Sequence, residues 1–218
     1  MESQTVSLSR EVAPGVDQIG TYVPVPGLGV LPINAFVLHA REPMLVDAGV
    51  VALANATLAA VREAIDLSEL RYVYLTHTDP DHVGCLRELL DVAPHARVVT
   101  TFLGMGKLGL TETLPPDRVL LKNPGEELDL GDRRVVVGRP PVFDAPESTW
   151  LHEPDADVLF SADCFGAVLP HPFHAAADVP DATLSHGLVT WTSIDAPWLV
   201  NQDRARLRER IRSLVAPQ

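Results

Sequence analysis

The sequence is poor in cysteine, in positive charge and in long apolar runs, and each shortage excludes a class of protein. Two cysteines, Cys85 and Cys164, are too few for a disulfide framework. No apolar run approaches the ~18–20 residues that a membrane-spanning helix needs, and the polar N-terminus predicts no secretory signal. With 17 Lys and Arg against 29 Asp and Glu, the net charge of −12 argues against nucleic acid or an anionic membrane as the main partner. We therefore expect an acidic, cytoplasmic protein.

The chain is rich in apolar residues and in proline. Hydrophobic residues make up 46% of its 218 residues, which is enough for a buried core, and we expect a single domain over residues 1–218. The 19 prolines scatter along the chain, so they predict stiff, shaped loops rather than one proline-rich tract.

Hydrophobic patterning divides the chain into an alternating first half and a strand-rich second half. The first half predicts helices at 52–65 and 83–92, between strands at 16–25, 33–39, 44–47, 71–76 and 96–101. The second half predicts a final amphipathic helix at 203–215, after short strands at 117–121, 127–130, 133–138, 148–152 and 156–161. This order favours an α/β fold in which mixed sheets stack face to face with helices outside.

The residues that carry chemistry follow the strand at 71–76. Four potential ligands fall within six residues of the stretch Thr-His-Thr-Asp-Pro-Asp-His-Val-Gly, namely His77, Asp79, Asp81 and His82. They lie at the carboxyl end of a strand, where α/β folds build their sites. The alternative is that Asp79 and Asp81 only cap the helix that follows, but capping does not account for four such side chains together. The stretch therefore predicts metal binding, with room for two cations.

This stretch resembles the His-x-His-x-Asp-His motif of the metallo-β-lactamase superfamily, with Asp79 in the place of the second histidine. A carboxylate there, followed by proline, is similar to the flavodiiron branch of oxygen-binding di-iron proteins, whose run reads His-Thr-Glu-Pro-Asp-His-Ser-Gly. The resemblance covers roughly residues 15–166. It implies a metallo-β-lactamase-like αββα sandwich and a dinuclear metal site.

Two further segments extend the resemblance. The run 159–166 is similar to the segment around the branch's metal-bridging aspartate, which gives Asp163 that role; the alternative is a helix cap. The run 145–150 resembles the segment just after another ligand of the branch, so Asp144 stands where the branch normally has a histidine; the alternative is a turn residue. Asp47 is expected to hold the ligand loop by hydrogen bonds rather than to touch metal. The implied ligands of the two ions are His77, Asp79, Asp81, His82, Asp144 and Asp163. This oxygen-rich set favours iron, with zinc or manganese as alternatives.

The resemblance also implies one more histidine, near the end of the domain. Ser-His-Gly at 185–187 matches the expected string, but it follows Asp163 too closely. We expect that the chain lacks the final strand and that His186 sits in a mobile loop, because Pro180 and Gly187 break regular structure. The alternative is a rearranged fold in which His186 binds metal. Both cysteines are expected to be buried. Surface positions are expected for His152, His171 and His174, with a place in the lining of the pocket as the alternative.

Three functions fit these residues. The first is a di-iron centre that binds or reduces O2, NO or peroxide; because no flavodoxin-like segment is expected, an external donor protein would supply electrons. The second is a metal-dependent hydrolase of an ester, thioester, lactam or phosphate, in which the metals activate a water. The third is a degenerate sensor or binding protein that catalyses nothing. A small-molecule substrate is expected for the first two, and a homodimer stays open.

Overall fold

The computed structural model describes residues 5–111 and 113–215, which form two β-sheets and five α-helices. Seven strands, β1 to β7, lie side by side in chain order in the larger sheet: Ser7–Ala13, Val16–Val25, Gly29–Leu38, Met44–Val46, Tyr72–Tyr74, Arg97–Thr100 and Val119–Leu121. Four strands, β8 to β11, form the smaller sheet, also in chain order: Glu127–Asp129, Arg134–Gly138, Trp150–Glu153 and Val158–Phe160. The helices α1 to α5 are Ala54–Ala64, Leu86–Val92, Phe102–Leu108, Asp181–Asp195 and Arg204–Val215.

Strand direction in the larger sheet positions the motif. Strands β1 to β4 pair antiparallel, whereas β4 to β7 pair parallel. Because parallel neighbours share a direction, the carboxyl ends of β4, β5 and β6 meet at one edge of the sheet. The strand predicted over 71–76 ends at Tyr74 and the helix predicted over 83–92 begins at Leu86. The loop between them is therefore longer than predicted, and it carries the whole motif at that edge.

Apolar side chains fill two layers around the larger sheet. One layer joins the two sheets, and it includes Leu38, Met44 and Tyr74 from the larger sheet with Val137 and Leu151 from the smaller. The other layer packs α1 and α2 against the opposite face of the larger sheet. The two stacked sheets with outer helices confirm the predicted α/β class. None of the described helices is long and apolar enough to cross a membrane.

The segment around His186 corrects one prediction. The expected mobile loop is wrong, because His186 lies inside α4 with its side chain exposed. Gly187 is buried in that helix and packs so closely on Val168 that an added Cβ would lie 2.3 Å from the carbonyl oxygen of Val168. The glycine therefore serves a close contact rather than a break in the helix. Within residues 161–215, the described elements are helices and turns without a named strand.

Candidate metal centre

The motif loop is fastened to the loop that follows β4. The N–H of Ala48 donates to the carbonyl of His82 at 2.8 Å, that of Gly84 to Gly49 at 2.7 Å, and that of Cys85 to Ala48 at 3.0 Å. An added Cβ at Gly84 would lie 2.4 Å from the carbonyl oxygen of Gly49, so only glycine fits this approach. These backbone contacts hold both ends of the motif in place.

Asp47 organises the start of the motif loop. Its backbone has a left-handed φ of 59°, an uncommon conformation for a residue other than glycine. Its carboxylate accepts the N–H of Thr76 at 2.8 Å and the Thr76 hydroxyl at 2.8 Å. It also lies 2.9 Å from Nδ1 of His82, and because a carboxylate accepts, Nδ1 is the donor. These hydrogen bonds confirm the expected supporting role of Asp47 and leave Nε2 of His82 facing the centre.

The two motif histidines meet in the interior. The side chains of His77 and His82 are 0% and 7% exposed, and their ring centroids lie 3.9 Å apart. In the described residues, Nε2 of each ring is buried without a hydrogen-bond partner. A buried, unsatisfied nitrogen is costly unless a ligand or ion satisfies it. Both Nε2 atoms are therefore candidate ligand atoms.

Three carboxylates surround these two nitrogens. Asp163 lies between the rings, with Oδ1 3.0 Å from Nε2 of His82 and Oδ2 3.7 Å from Nε2 of His77, although neither contact has hydrogen-bond geometry. Asp144 Oδ2 lies 4.0 Å from Nε2 of His77, and Asp81 Oδ2 lies 3.6 Å from Nε2 of His82. Atoms within 4.8 Å of one another define two groups, His77 with Asp81 and His82, and His77 with Asp144 and Asp163. The structure thus brings together five of the six predicted ligands.

The backbone around Asp163 turns sharply to present its carboxylate. The residue before it, Ala162, has φ 54°, and Phe165 shortly after has φ 76°, both in the left-handed region. Such backbone is unfavourable for residues other than glycine and persists where the surroundings impose it. Here the turn follows β11 directly and points Asp163 between the two histidines.

Asp79 is the predicted ligand that stands apart. Its side chain is 39% exposed, and among the described residues it belongs to neither close group. Its Oδ1 lies 3.4 Å from Nζ of Lys107, which also pairs with the fully buried Glu147. Glu147 in turn accepts the hydroxyl of Thr78 at 3.0 Å. A lysine ammonium therefore occupies the position beside Asp79, and the ligand role of Asp79 stays a prediction.

Removing this ammonium should destabilise the fold through Glu147. We expect Lys107→Met to lower the free energy of unfolding by about 2 kcal/mol, because the buried carboxylate loses its counter-charge; partial exposure of Lys107 keeps the loss below that of a fully buried pair. Urea unfolding measures the change. The double variant Lys107→Met/Glu147→Gln should recover most of the loss, and a single variant as stable as the natural protein would contradict the role assigned to the pair.

The pKa values within the cluster shift in different directions. Burial by itself would lower the pKa of His82, but the carboxylates of Asp47 and Asp163 outweigh burial and raise that pKa well above its ordinary value. Burial would raise the pKa of Asp163, yet contact with His82 and the charges of both histidines lower it. For Asp81, burial and the charge of Asp163 raise the pKa against the opposing effect of His82. Opposite charges therefore outweigh burial at His82 and Asp163, whereas burial prevails at Asp81.

Several residues near the motif in sequence stay outside the cluster. Neither close group includes His152, which lies 3.4 Å from Asp157, or His171, whose ring stacks on Phe173 at 4.4 Å. Both cysteines are buried, as expected: Cys85 and Cys164. The sequence reading did not find Lys107, Glu147 or Asp195. No local motif marks these residues, because each reaches the site through tertiary packing.

A cavity of about 230 Å³ borders the cluster. Its lining includes His82 and Asp163 together with Asn34, Phe165 and Trp191. A space of this size suits a molecule of a few atoms, since drug-sized ligands fill about 300–1,000 Å³.

A family model described as ODP family beta lactamase matches residues 31–187, more than two thirds of the chain. The chain belongs to this family. The matched part of this ODP β-lactamase family member contains the motif loop, the five clustered side chains and most of both sheets.

Solved structures share the fold of this ODP family member. Rubredoxin oxygen:oxidoreductase from Desulfovibrio gigas aligns with a TM-score of 0.81 and 20% identity, over 97% of this chain and 54% of that one. The flavodiiron protein from Giardia intestinalis aligns with a TM-score of 0.79 and 19% identity, over 98% and 53%. These likenesses confirm the predicted metallo-β-lactamase fold and the resemblance to flavodiiron proteins.

A relative found by sequence is the anaerobic nitric oxide reductase flavorubredoxin of Salmonella typhi. It is 25% identical to this ODP family member over 134 residues, which are 61% of this chain and 28% of the relative. The chain spans less than half the length of the relatives that it matches by sequence. Its relatives include oxidoreductases.

Proposed function

We propose that this chain holds two metal ions, preferentially iron, and binds or reduces O2, NO or peroxide with electrons from an external donor protein. The observation that carries the proposal is the pair of buried Nε2 atoms of His77 and His82, which face three carboxylates and have no hydrogen-bond partner among the described residues. Two imidazoles with an excess of carboxylate oxygens suit iron or manganese, whereas thiolate-rich sites select zinc, copper(I) or iron–sulfur clusters. The names of the oxygen and nitric oxide reductases above support the choice of substrate.

The donor atoms divide into two sets that share Asp163. His77 and Asp144 would hold the first ion with Asp163, and Asp81 and His82 would hold the second with the same carboxylate. Asp79 would join the first set if Lys107 released it. When bound, iron supplies the one-electron exchange that reduction of these small molecules requires.

The chain's own residues fix the donor atoms and admit the small molecule. Asp47 keeps Nδ1 of His82 occupied, so that ring offers only Nε2 to an ion. The left-handed turn at Ala162 holds Asp163 between the two rings. Phe165 and Trp191 line the cavity beside Asp163, so the space next to the proposed ions is partly apolar.

Elemental analysis of anaerobically purified protein tests this proposal. We expect two iron atoms per chain, a coloured preparation, and consumption of O2 or NO when a chemical reductant replaces the donor protein. The variant His77→Ala/His82→Ala is the matched control, and it should be colourless and inactive because both imidazole donors are gone.

Other outcomes would favour the other hypotheses. A colourless zinc protein that cleaves an ester or thioester would replace the redox function with hydrolysis. A protein that binds O2 or NO but does not turn over would point to sensing. Absence of bound metal after reconstitution with iron, zinc and manganese would overturn the proposal.

A further inference from the structure

Asp195 is an acidic residue that lies outside the predicted ligand set but close enough to interact with the charges of the cluster. It is the last residue of α4, and the next residue, Ala196, is fully buried against Val142 and Cys164. Val142 lies two positions before Asp144, and Cys164 directly follows Asp163. The end of α4 is therefore packed onto both loops that carry these carboxylates.

A second contact fixes the same end of the helix. The indole Nε1 of Trp198 donates to the carbonyl of Phe143 at 2.8 Å, and the two rings lie 4.8 Å apart. One helical turn before Asp195, Trp191 lines the cavity together with His82 and Asp163. Residues four apart lie on the same helix face, so Asp195 shares the face of α4 that borders the cavity.

Nothing in the described part of the chain compensates the charge of Asp195. Within residues 5–111 and 113–215 it has no hydrogen-bond or ion-pair partner. Burial raises its pKa to about 7, and the charges of Asp163, Asp144, Asp81 and Asp79 act in the same direction. A carboxylate at the C-terminal end of a helix is also opposed by the helix dipole. Without a bound cation, burial, the neighbouring carboxylates and the helix dipole all disfavour the charged form of Asp195.

We propose that Asp195 is a further carboxylate of the metal centre, serving the ion held by Asp81, His82 and Asp163. The inference rests on the proposed function. Two observations carry it. Asp195 lies one helical turn after the cavity-lining Trp191, without a hydrogen-bond or ion-pair partner in the described part of the chain. The buried Nε2 of His82 faces the same cluster without a hydrogen-bond partner. Asp195 belongs to neither close group among the described residues, so it would reach the ion through a water or after a rotamer change. A cation there relieves the repulsion among the carboxylates.

Asp195→Asn tests the inference, because it keeps the shape of the side chain and removes its charge. The metal-free protein is titrated with Fe²⁺ under anaerobic conditions, and bound metal per chain and both affinities are measured. We expect the affinity for the second ion to fall about 10–100-fold and that for the first to change much less. Asp181→Asn, in the exposed first turn of the same helix, is the matched control and should bind like the natural protein.

The thermal midpoint at pH 8 provides a readout that a merely structural role would not reproduce. We expect Asp195→Asn to raise the midpoint of the metal-free protein by about 5 °C, because it removes a repelled charge, and to shrink the increase that Fe²⁺ produces. A structural role for Asp195 would instead lower the metal-free midpoint.

The possible results distinguish failure of this inference from failure of the proposed function on which it rests. If the natural protein binds no metal, the proposed function fails and the inference fails with it. If the natural protein binds two ions and Asp195→Asn binds both with unchanged affinity, the inference alone is overturned. Equal weakening of both ions would overturn the assignment of Asp195 to the second ion.

Discussion

Asp163→Ala is expected to remove most of the metal from both positions of the centre. Asp163 places one oxygen 3.0 Å from Nε2 of His82 and the other 3.7 Å from Nε2 of His77, so a single side chain serves both donor sets. Loss of a supporting residue typically costs about 10–100-fold in metal affinity. Loss of a direct ligand should cost at least as much. Because the two proposed ions would share this ligand, we expect two weakened sites rather than one.

Anaerobic titration with Fe²⁺, followed by elemental analysis of desalted protein, measures the effect of this substitution. Asp91→Ala is a suitable control, since Asp91 is an exposed aspartate in the second half of α2. Circular dichroism of both metal-free variants establishes that they are folded. Retention of two ions with natural affinity in Asp163→Ala would show that Asp163 does not bridge, and loss of only one ion would assign it to a single site.

Gly84→Ala is expected to produce the largest loss of stability. An added Cβ would lie 2.4 Å from both the carbonyl oxygen of Gly49 and the carbonyl carbon of Val50, and these backbone atoms have no side-chain freedom to move away. The two loops would have to separate, which breaks the Gly84 to Gly49 hydrogen bond and shifts His82. We expect the free energy of unfolding to fall by about 3 kcal/mol or more, at the upper end of the cost of overpacking.

Gly106→Ala provides the matched control for this substitution. Gly106 lies inside α3, and nothing lies within 4 Å of the place where its Cβ would be added. Alanine there should stabilise the protein by about 0.5–1 kcal/mol, because it favours the helix. Urea unfolding of both variants gives the comparison. A Gly84→Ala protein as stable as the natural one would mean that the two loops are free to move apart.

The metal-binding motif could be predicted from the sequence because its residues lie close together in the chain. His77, Asp81 and His82 are close in the chain, and a loop at the carboxyl end of a buried strand brings such neighbours together. Asp144 and Asp163 lie far away along the chain, and only the resemblance to a known family placed them in the cluster. The structure then brings both within reach of His77.

What sequence reading missed depends on contacts between distant segments. Lys107 follows His82, the last ligand of the motif, by 25 residues, and its position beside Asp79 depends on how α3 packs against the motif loop. Helix α3 itself was not predicted, because Gly104 and Gly106 weaken its helical signal. In α4, Gly187 suggests a break, yet its lack of a side chain permits the close contact with Val168. Tertiary packing overrides local preference at each of these places.

The left-handed backbone of Asp47 has a consequence for the drift of this sequence over time. Glycine would adopt φ 59° at lower cost, by roughly 1 kcal/mol, so the backbone taken by itself favours glycine at position 47. Glycine offers no carboxylate, and Thr76 and Nδ1 of His82 would both lose their partner. An unpaired buried donor costs about 1–3 kcal/mol, so the lost hydrogen bonds outweigh the relaxed backbone. We therefore expect selection for stability by itself to retain the aspartate at position 47, and substitutions to be rarer there than at other left-handed positions.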